Sequence, residues 1–130
     1  MTTLVVAAAV IERADRFLLT RRQRGVHLEG YWEFPGGKCE PGETRSACLR
    51  RELREELDVD VAIGAELLMM THEYPDRVVE IHFLRCDLDG VPSPQQGQEM
   101  QWVRRCDLAT LAMPPADAEL IALLGVGLRG

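Results

Sequence analysis

Glu52, Glu55 and Glu56 stand three and four residues apart in a stretch, Thr44 to Leu57, that contains neither Gly nor Pro. At 3.6 residues per turn, a helix over that stretch carries all three carboxylates on one face. Like charges at such spacings cost a helix roughly 0.2 to 0.5 kcal/mol per pair, so the ridge requires a counter-charge. Arg50, Arg51 and Arg54 lie in the same segment and supply one, if the face is simply solvated and salt-bridged. A hard divalent cation is the other solution, because Mg²⁺ takes oxygen ligands and bridges one or two carboxylates to the phosphates of a substrate. The residue types alone leave both alternatives open.

The flanking residues are more specific. The segment from Gly37 to Val59 resembles the Nudix box, G-x5-E-x7-R-E-U-x-E-E-x-G-U, where U is a bulky apolar residue. Gly37, Glu43, Arg51, Glu52, Glu55 and Glu56 fall on its fixed positions, and Leu53 and Val59 on apolar ones. With each such residue at about 6 to 7% of ordinary sequence, six matches arise by chance about once in 10⁷ placements. Asp58 departs from the pattern, which has Gly there. A helix exit in the left-handed region prefers Gly, and Asp tolerates it better than most residues.

The resemblance implies a hydrolase that cleaves a nucleoside diphosphate linked to another group by attack of water at phosphorus, with Mg²⁺ or Mn²⁺. It implies Glu52 and Glu56 as the main metal ligands, Glu55 as a ligand or base, and the Gly37 carbonyl as a further oxygen. Arg51 and Glu43 then pair and hold the preceding loop to the helix. The chemistry agrees, since phosphoanhydride hydrolysis needs neutralised bridging oxygens and an activated water, with little covalent work from the protein.

The similarity runs from about Val5 to Leu124 and points to MutT-type nucleoside triphosphate pyrophosphohydrolases, through Trp32 to Lys38, Tyr74 to Arg77, and Pro114 to Asp117. The implied reaction releases pyrophosphate and a monophosphate from damaged nucleotides such as 8-oxo-dGTP. The resemblance puts Arg22 in the place of a phosphate-contacting Arg, with Arg21 and Lys38 as further candidates. Glu99 resembles an outlying Glu that completes a metal site or acts as base, although Gln96 competes for that alignment. Phe34 and Tyr74 are candidates for stacking on a base, and His27 is assigned no role. Asp117 stands where members specific for 8-oxoguanine carry Asn. An ionised Asp only accepts hydrogen bonds, which suits the exocyclic amine of cytosine, so a cytosine-nucleotide hydrolase is the alternative. A dinucleotide or sugar-nucleotide hydrolase and a catalytically silent binding module complete the alternatives.

The elements that must position these residues follow from periodicity. Leu4 to Ile11 reads as a strand buried on both faces, forming a hairpin with Arg16 to Thr20. Gly25 to Gly42, rich in Gly, Pro and aromatics, reads as a structured loop, and one this long in a small domain is usually functional. Leu49, Leu53 and Leu57 at successive i+4 steps predict the amphipathic helix that carries the ridge. Val59 to Met70 and the alternating Val79, Ile81 and Phe83 predict two strands joined at Tyr74-Pro75-Asp76, with Glu80 and His82 on the polar side of the second. A short strand at Met100 to Arg104 and a last helix after Pro114-Pro115 complete an α+β class, an α/β/α sandwich around a mixed sheet.

Composition bounds the rest. The 130 residues suit one domain with a single core, and 46% hydrophobic and 28% charged residues suit a globular chain. A net charge of −6 gives no field that draws the protein onto a nucleic-acid polymer or an anionic membrane. No apolar run is long enough to span a bilayer, and the N-terminus lacks the features of a signal peptide, so a cytoplasmic monomer or homodimer is expected. Cys39, Cys48, Cys86 and Cys106 lack C-x-x-C spacing and read as reduced thiols.

Overall fold

The computed structural model describes residues 2–25 and 29–125. His27 lies outside them. The chain runs β1 (Thr2–Arg13), β2 (Arg16–Arg21), β3 (Trp32–Glu33), β4 (Gly36–Lys38), α1 (Arg45–Leu57), β5 (Asp60–Tyr74), β6 (Arg77–Asp89), β7 (Met100–Arg104) and α2 (Ala118–Gly125). Two 3₁₀ turns, Arg105–Thr110 and Pro115–Asp117, lie between β7 and α2.

β1 organises the sheet. One edge pairs in parallel with β6 over ten positions, from Thr2 opposite Arg77 to Ile11 opposite Cys86. The other edge is shared: Val6, Ala7 and Ala8 face β4, and Glu12 and Arg13 face β2. β5 extends the sheet beyond β6, and β3 and β7 pair with β2. The sheet is therefore mixed, with a split where β4 and β2 diverge.

Alternation along β1 feeds two cores. Ala7, Ala9 and Ile11 pack with Cys48, Leu49, Leu53 and Leu57 of α1, and Ala8 and Val10 pack with Phe17, Phe34, Phe83, Leu120 and Leu124 on the opposite side. Each fully buried Leu is worth about 1.5 to 3 kcal/mol, so three of them bind α1 to the sheet and fix its rotation. With that face turned inward, the glutamate ridge is set toward β4.

Several elements differ from their sequence expectations. The Gly25 to Gly42 segment contains two short strands, because β1 and β2 offer unpaired edges to Trp32–Glu33 and Gly36–Lys38. β5 continues to Tyr74, with register shifts around Glu66. His82 is buried, since β6 lies between β1 and β5; its two ring nitrogens face Glu66 at 2.5 Å and Glu80 at 2.6 Å. The residues after Pro114 first form a 3₁₀ turn, and α2 begins only at Ala118. All four cysteines are free thiols. Among the described residues, no helix is long and apolar enough to cross a membrane.

Helix α1 is capped at both ends. Thr44 accepts a hydrogen bond from the Ala47 N–H at 3.0 Å. Asp58 takes the left-handed conformation (φ 51°, ψ 48°) and donates its N–H to the Arg54 carbonyl. Since this backbone region is open to Gly without steric cost, Asp58→Gly is expected to raise stability by about 0.5 kcal/mol, with the gain reduced by the greater freedom of Gly in the unfolded chain. Urea unfolding followed by circular dichroism checks it; a lower midpoint would show that the Asp58 side chain stabilises the helix exit.

Candidate active site

The approach of α1 to β4 is possible only because β4 is built from glycine. A Cβ on Gly36 would overlap the Ala7 carbonyl across the strand pair, and a Cβ on Gly37 would overlap the Glu52 carboxylate. Glu52 therefore rests directly on the backbone of Gly37, whose carbonyl oxygen receives the Cys48 thiol at 3.5 Å. The Gly36 N–H donates to the Glu56 carboxylate. Two of the three ridge carboxylates thus meet two consecutive residues of one short strand.

Arg51 gathers the anions from the other side. Its guanidinium forms a bidentate pair with Glu43 (Nε to Oε2 2.8 Å, Nη2 to Oε1 2.9 Å), and Nη1 lies 2.9 Å from Glu52 and 3.5 Å from Glu55. Nη2 also donates to the Lys38 carbonyl at 3.1 Å. The Arg51 hydrogen bonds hold the Glu43 carboxyl down at about 2, with the Glu40 N–H adding to the effect. Arg54, the second candidate counter-charge, turns away to Asp60. One arginine consequently fastens the loop to the helix and offsets part of the ridge's repulsion.

The remaining repulsion falls on Glu56. Burial, followed by the charges of Glu52 and Glu33, pushes its carboxyl up to about 8, against the Gly36 hydrogen bond. Burial also raises Glu52, opposed chiefly by Arg51. Glu55 is exposed.

The donor set consists of hard oxygens: the Glu52, Glu55 and Glu56 carboxylates and the Gly37 carbonyl. Among the described residues, no three His, Cys, Asp or Glu groups converge tightly enough to hold an ion by themselves. A site that shares its cation with phosphate oxygens does not require such convergence, and an oxygen-only set with excess negative charge fits Mg²⁺ or Mn²⁺ rather than a thiolate-seeking metal.

The other expected site residues separate into groups. Lys38 is exposed and, with Glu43, Arg51 and Glu52, lines a cavity of about 1070 Å³. Arg22 places Nη1 2.9 Å from Glu33. Arg21 holds Glu99 at 3.3 Å, so the Glu99 carboxylate is occupied by an arginine in a separate groove of about 550 Å³ that also contains Arg22 and Gln98. Phe34, expected at the substrate, is a core residue: it follows β3, is 4% exposed and meets Phe83 edge to face in the core on the side of β1 away from α1. Tyr74 lies in the β5–β6 turn region against Arg77 and His72.

Asp117 is buried in the 3₁₀ turn before α2, beside partly exposed apolar residues such as Leu67, Leu68, Met113 and Ile121 that pack on the same core. Burial first, then the Glu33 charge, pushes its carboxyl up to about 7. Glu33, which no motif singles out, acts through its charge on both Glu56 and Asp117. The available signal was a lone carboxylate between the inward-facing Trp32 and Phe34.

Comparison with known proteins follows the same outline. The family model described as NUDIX domain matches residues 6–123. The chain is 40% identical over 119 residues to the 8-oxo-dGTP diphosphatase of Haemophilus influenzae, covering 89% of this chain and 87% of that protein. It is 33% identical over 122 residues to the CTP pyrophosphohydrolase of Escherichia coli, covering 93% and 90%. Its fold superposes on the solution structure of the E. coli ORF135 protein with a TM-score of 0.86 at 31% identity, covering 100% of this chain and 96% of that one.

The raised Glu56 carboxyl has a thermodynamic consequence. A carboxyl that holds its proton more tightly folded than unfolded stabilises the fold below the ordinary value of 4.5, and that contribution is lost as the pH rises toward about 8. Metal-free protein is expected to melt at progressively lower temperature from pH 5 to 8. Glu56→Gln flattens part of the slope, and millimolar Mg²⁺ raises the melting temperature most at the alkaline end. Differential scanning calorimetry across this range checks all three outcomes.

Proposed function

The chain belongs to the NUDIX domain family, and on that premise we propose that it hydrolyses nucleoside triphosphates to monophosphate and pyrophosphate with Mg²⁺ or Mn²⁺. The observation that carries the reading is the intact oxygen ridge, in which Glu52 sits on the side-chain-free Gly37 and Glu56 is half-buried beside it. A silent binding module has no need to keep three like charges together on one helix face, since each removed carboxylate would relieve repulsion.

Glu52, Glu55, Glu56 and the Gly37 carbonyl are the groups that would hold the cation. When bound, the cation neutralises the bridging oxygens and lowers the pKa of a coordinated water. Glu56 gives up its proton as positive charge arrives, since the charge that destabilised its ionised form is then offset. Arg51 keeps Glu52 and the loop in place. Arg22, oriented by Glu33, and Lys38 face the polyphosphate as cations. Asp117 reads the base from within an apolar surround.

The state of Asp117 bears on which base is read. A protonated carboxyl both donates and accepts, as an amide does, and meets the O6 and N7–H edge of 8-oxoguanine; an ionised one only accepts and suits the exocyclic amine of cytosine. With its carboxyl at about 7, both forms are populated near neutrality. Oxidised guanine nucleotides are therefore the leading substrates and cytosine nucleotides the second reading, in keeping with what the two relatives are named for.

Glu56→Gln is expected to reduce kcat at least ~10²-fold with near-normal folding, on the scale of removing one group that stabilises transition-state charge. The assay follows pyrophosphate release from canonical and oxidised triphosphates with Mg²⁺; unchanged turnover, or inorganic phosphate as the product, contradicts the reading. For Asp117→Asn, the kcat/KM ratio of 8-oxo-dGTP over dCTP should rise severalfold at pH 8 and become insensitive to pH between 6 and 8. An identical ratio in both proteins removes Asp117 from base selection.

A further inference from the structure

Helix α1 ends at Leu57, so the carbonyls of its last turn have no partners within the helix. The segment from Ser93 to Glu99 supplies them. Ser93 N–H donates to the Leu57 carbonyl at 2.8 Å, and Gln95 N–H to the Glu56 carbonyl at 2.9 Å. The Gln98 side-chain amide donates a second hydrogen bond to the same Glu56 oxygen at 3.1 Å, while its own oxygen accepts from Gln96 N–H at 2.9 Å. One residue further on, the Glu99 carbonyl accepts from the Arg21 N–H at 3.0 Å and the Glu99 carboxylate holds the Arg21 side chain.

This seven-residue segment therefore spans from the turn carrying Glu55 and Glu56 to the strand end carrying Arg21 and Arg22. Gln98 is its central bracing residue, with both ends of the amide in use. The Glu56 carbonyl is already satisfied by Gln95, so the bond from Gln98 adds little to helix termination. What it adds is direction: two donors at different angles fix the Glu56 peptide, and with it the point from which a half-buried carboxylate departs toward the Gly36 N–H. Errors of about 1 Å in such a group are enough to lower a rate ~10²-fold.

We infer that Gln98 is a positioning residue for Glu56, bracing the metal-binding turn of α1 against the arginine-bearing end of β2. The inference rests on the proposed hydrolase reading. Its test is Gln98→Met, which keeps length and volume but neither donates nor accepts. In this variant kcat falls about tenfold and the Mg²⁺ concentration for half-maximal rate rises severalfold, whereas KM for the nucleotide stays within twofold and the melting temperature within a few degrees. Unchanged kcat and Mg²⁺ dependence overturn the inference. So does a fall in all parameters together with a large loss of melting temperature, which would make Gln98 merely structural. Gln98→Glu, which retains the acceptor but cannot donate to a carbonyl, is expected to fail to restore kcat. If the wild-type protein hydrolysed no triphosphate, the hydrolase reading would fall on its own. Thermal shift during Mg²⁺ titration would then still decide the role of Gln98: a weaker half-saturation in Gln98→Met supports it, and equal values overturn it.

Discussion

Everything in this structure depends on the contact between a helix rich in carboxylates and a strand without side chains. Glu52 lies on Gly37 with no room for even a methyl group between them. Three leucines on the adjoining face of α1 set the distance, and their burial is what makes the anionic ridge tolerable at all. Hydrophobic energy on one stripe of the helix thus supports electrostatic strain on its neighbour.

The strain is distributed unequally. Arg51 takes up Glu43 and Glu52 and touches Glu55, while Glu56 has its carboxyl pushed up to about 8 by burial and its anionic neighbours. Glu33 extends the field away from the ridge, raising both Glu56 and Asp117 and pairing with Arg22. One carboxylate on a two-residue strand therefore acts on both the helix ridge and the turn before α2.

The topology explains how so small a chain places these groups. Because β1 divides one edge between β4 and β2, the glycine strand and the arginine strand end leave the sheet side by side. The Ser93 to Glu99 segment then closes the gap between them with backbone and amide hydrogen bonds. Cores on both faces of β1 hold this divergence rigidly, since neither sheet face is free to shift without uncovering apolar surface.

Local pattern was enough for the helix, the left-handed Asp58 exit and the glutamate ridge, because each depends on residues within one or two turns of one another. The fold class and the first hairpin were equally legible, since alternation and turn chemistry act over short range. The surroundings of Glu99 and Phe34 were not legible from local text: a loop glutamate says nothing of the arginine that meets it from across the sheet, and an aromatic beside a glycine pair says nothing of the core that absorbs it. His82 between two carboxylates, Glu33 between two ends of a site, and Gln98 on a carbonyl 42 residues away are decided only by tertiary packing. The physical reason is common to all of them: burial and Coulomb interactions act through space, and only the folded chain determines which distant residues share it.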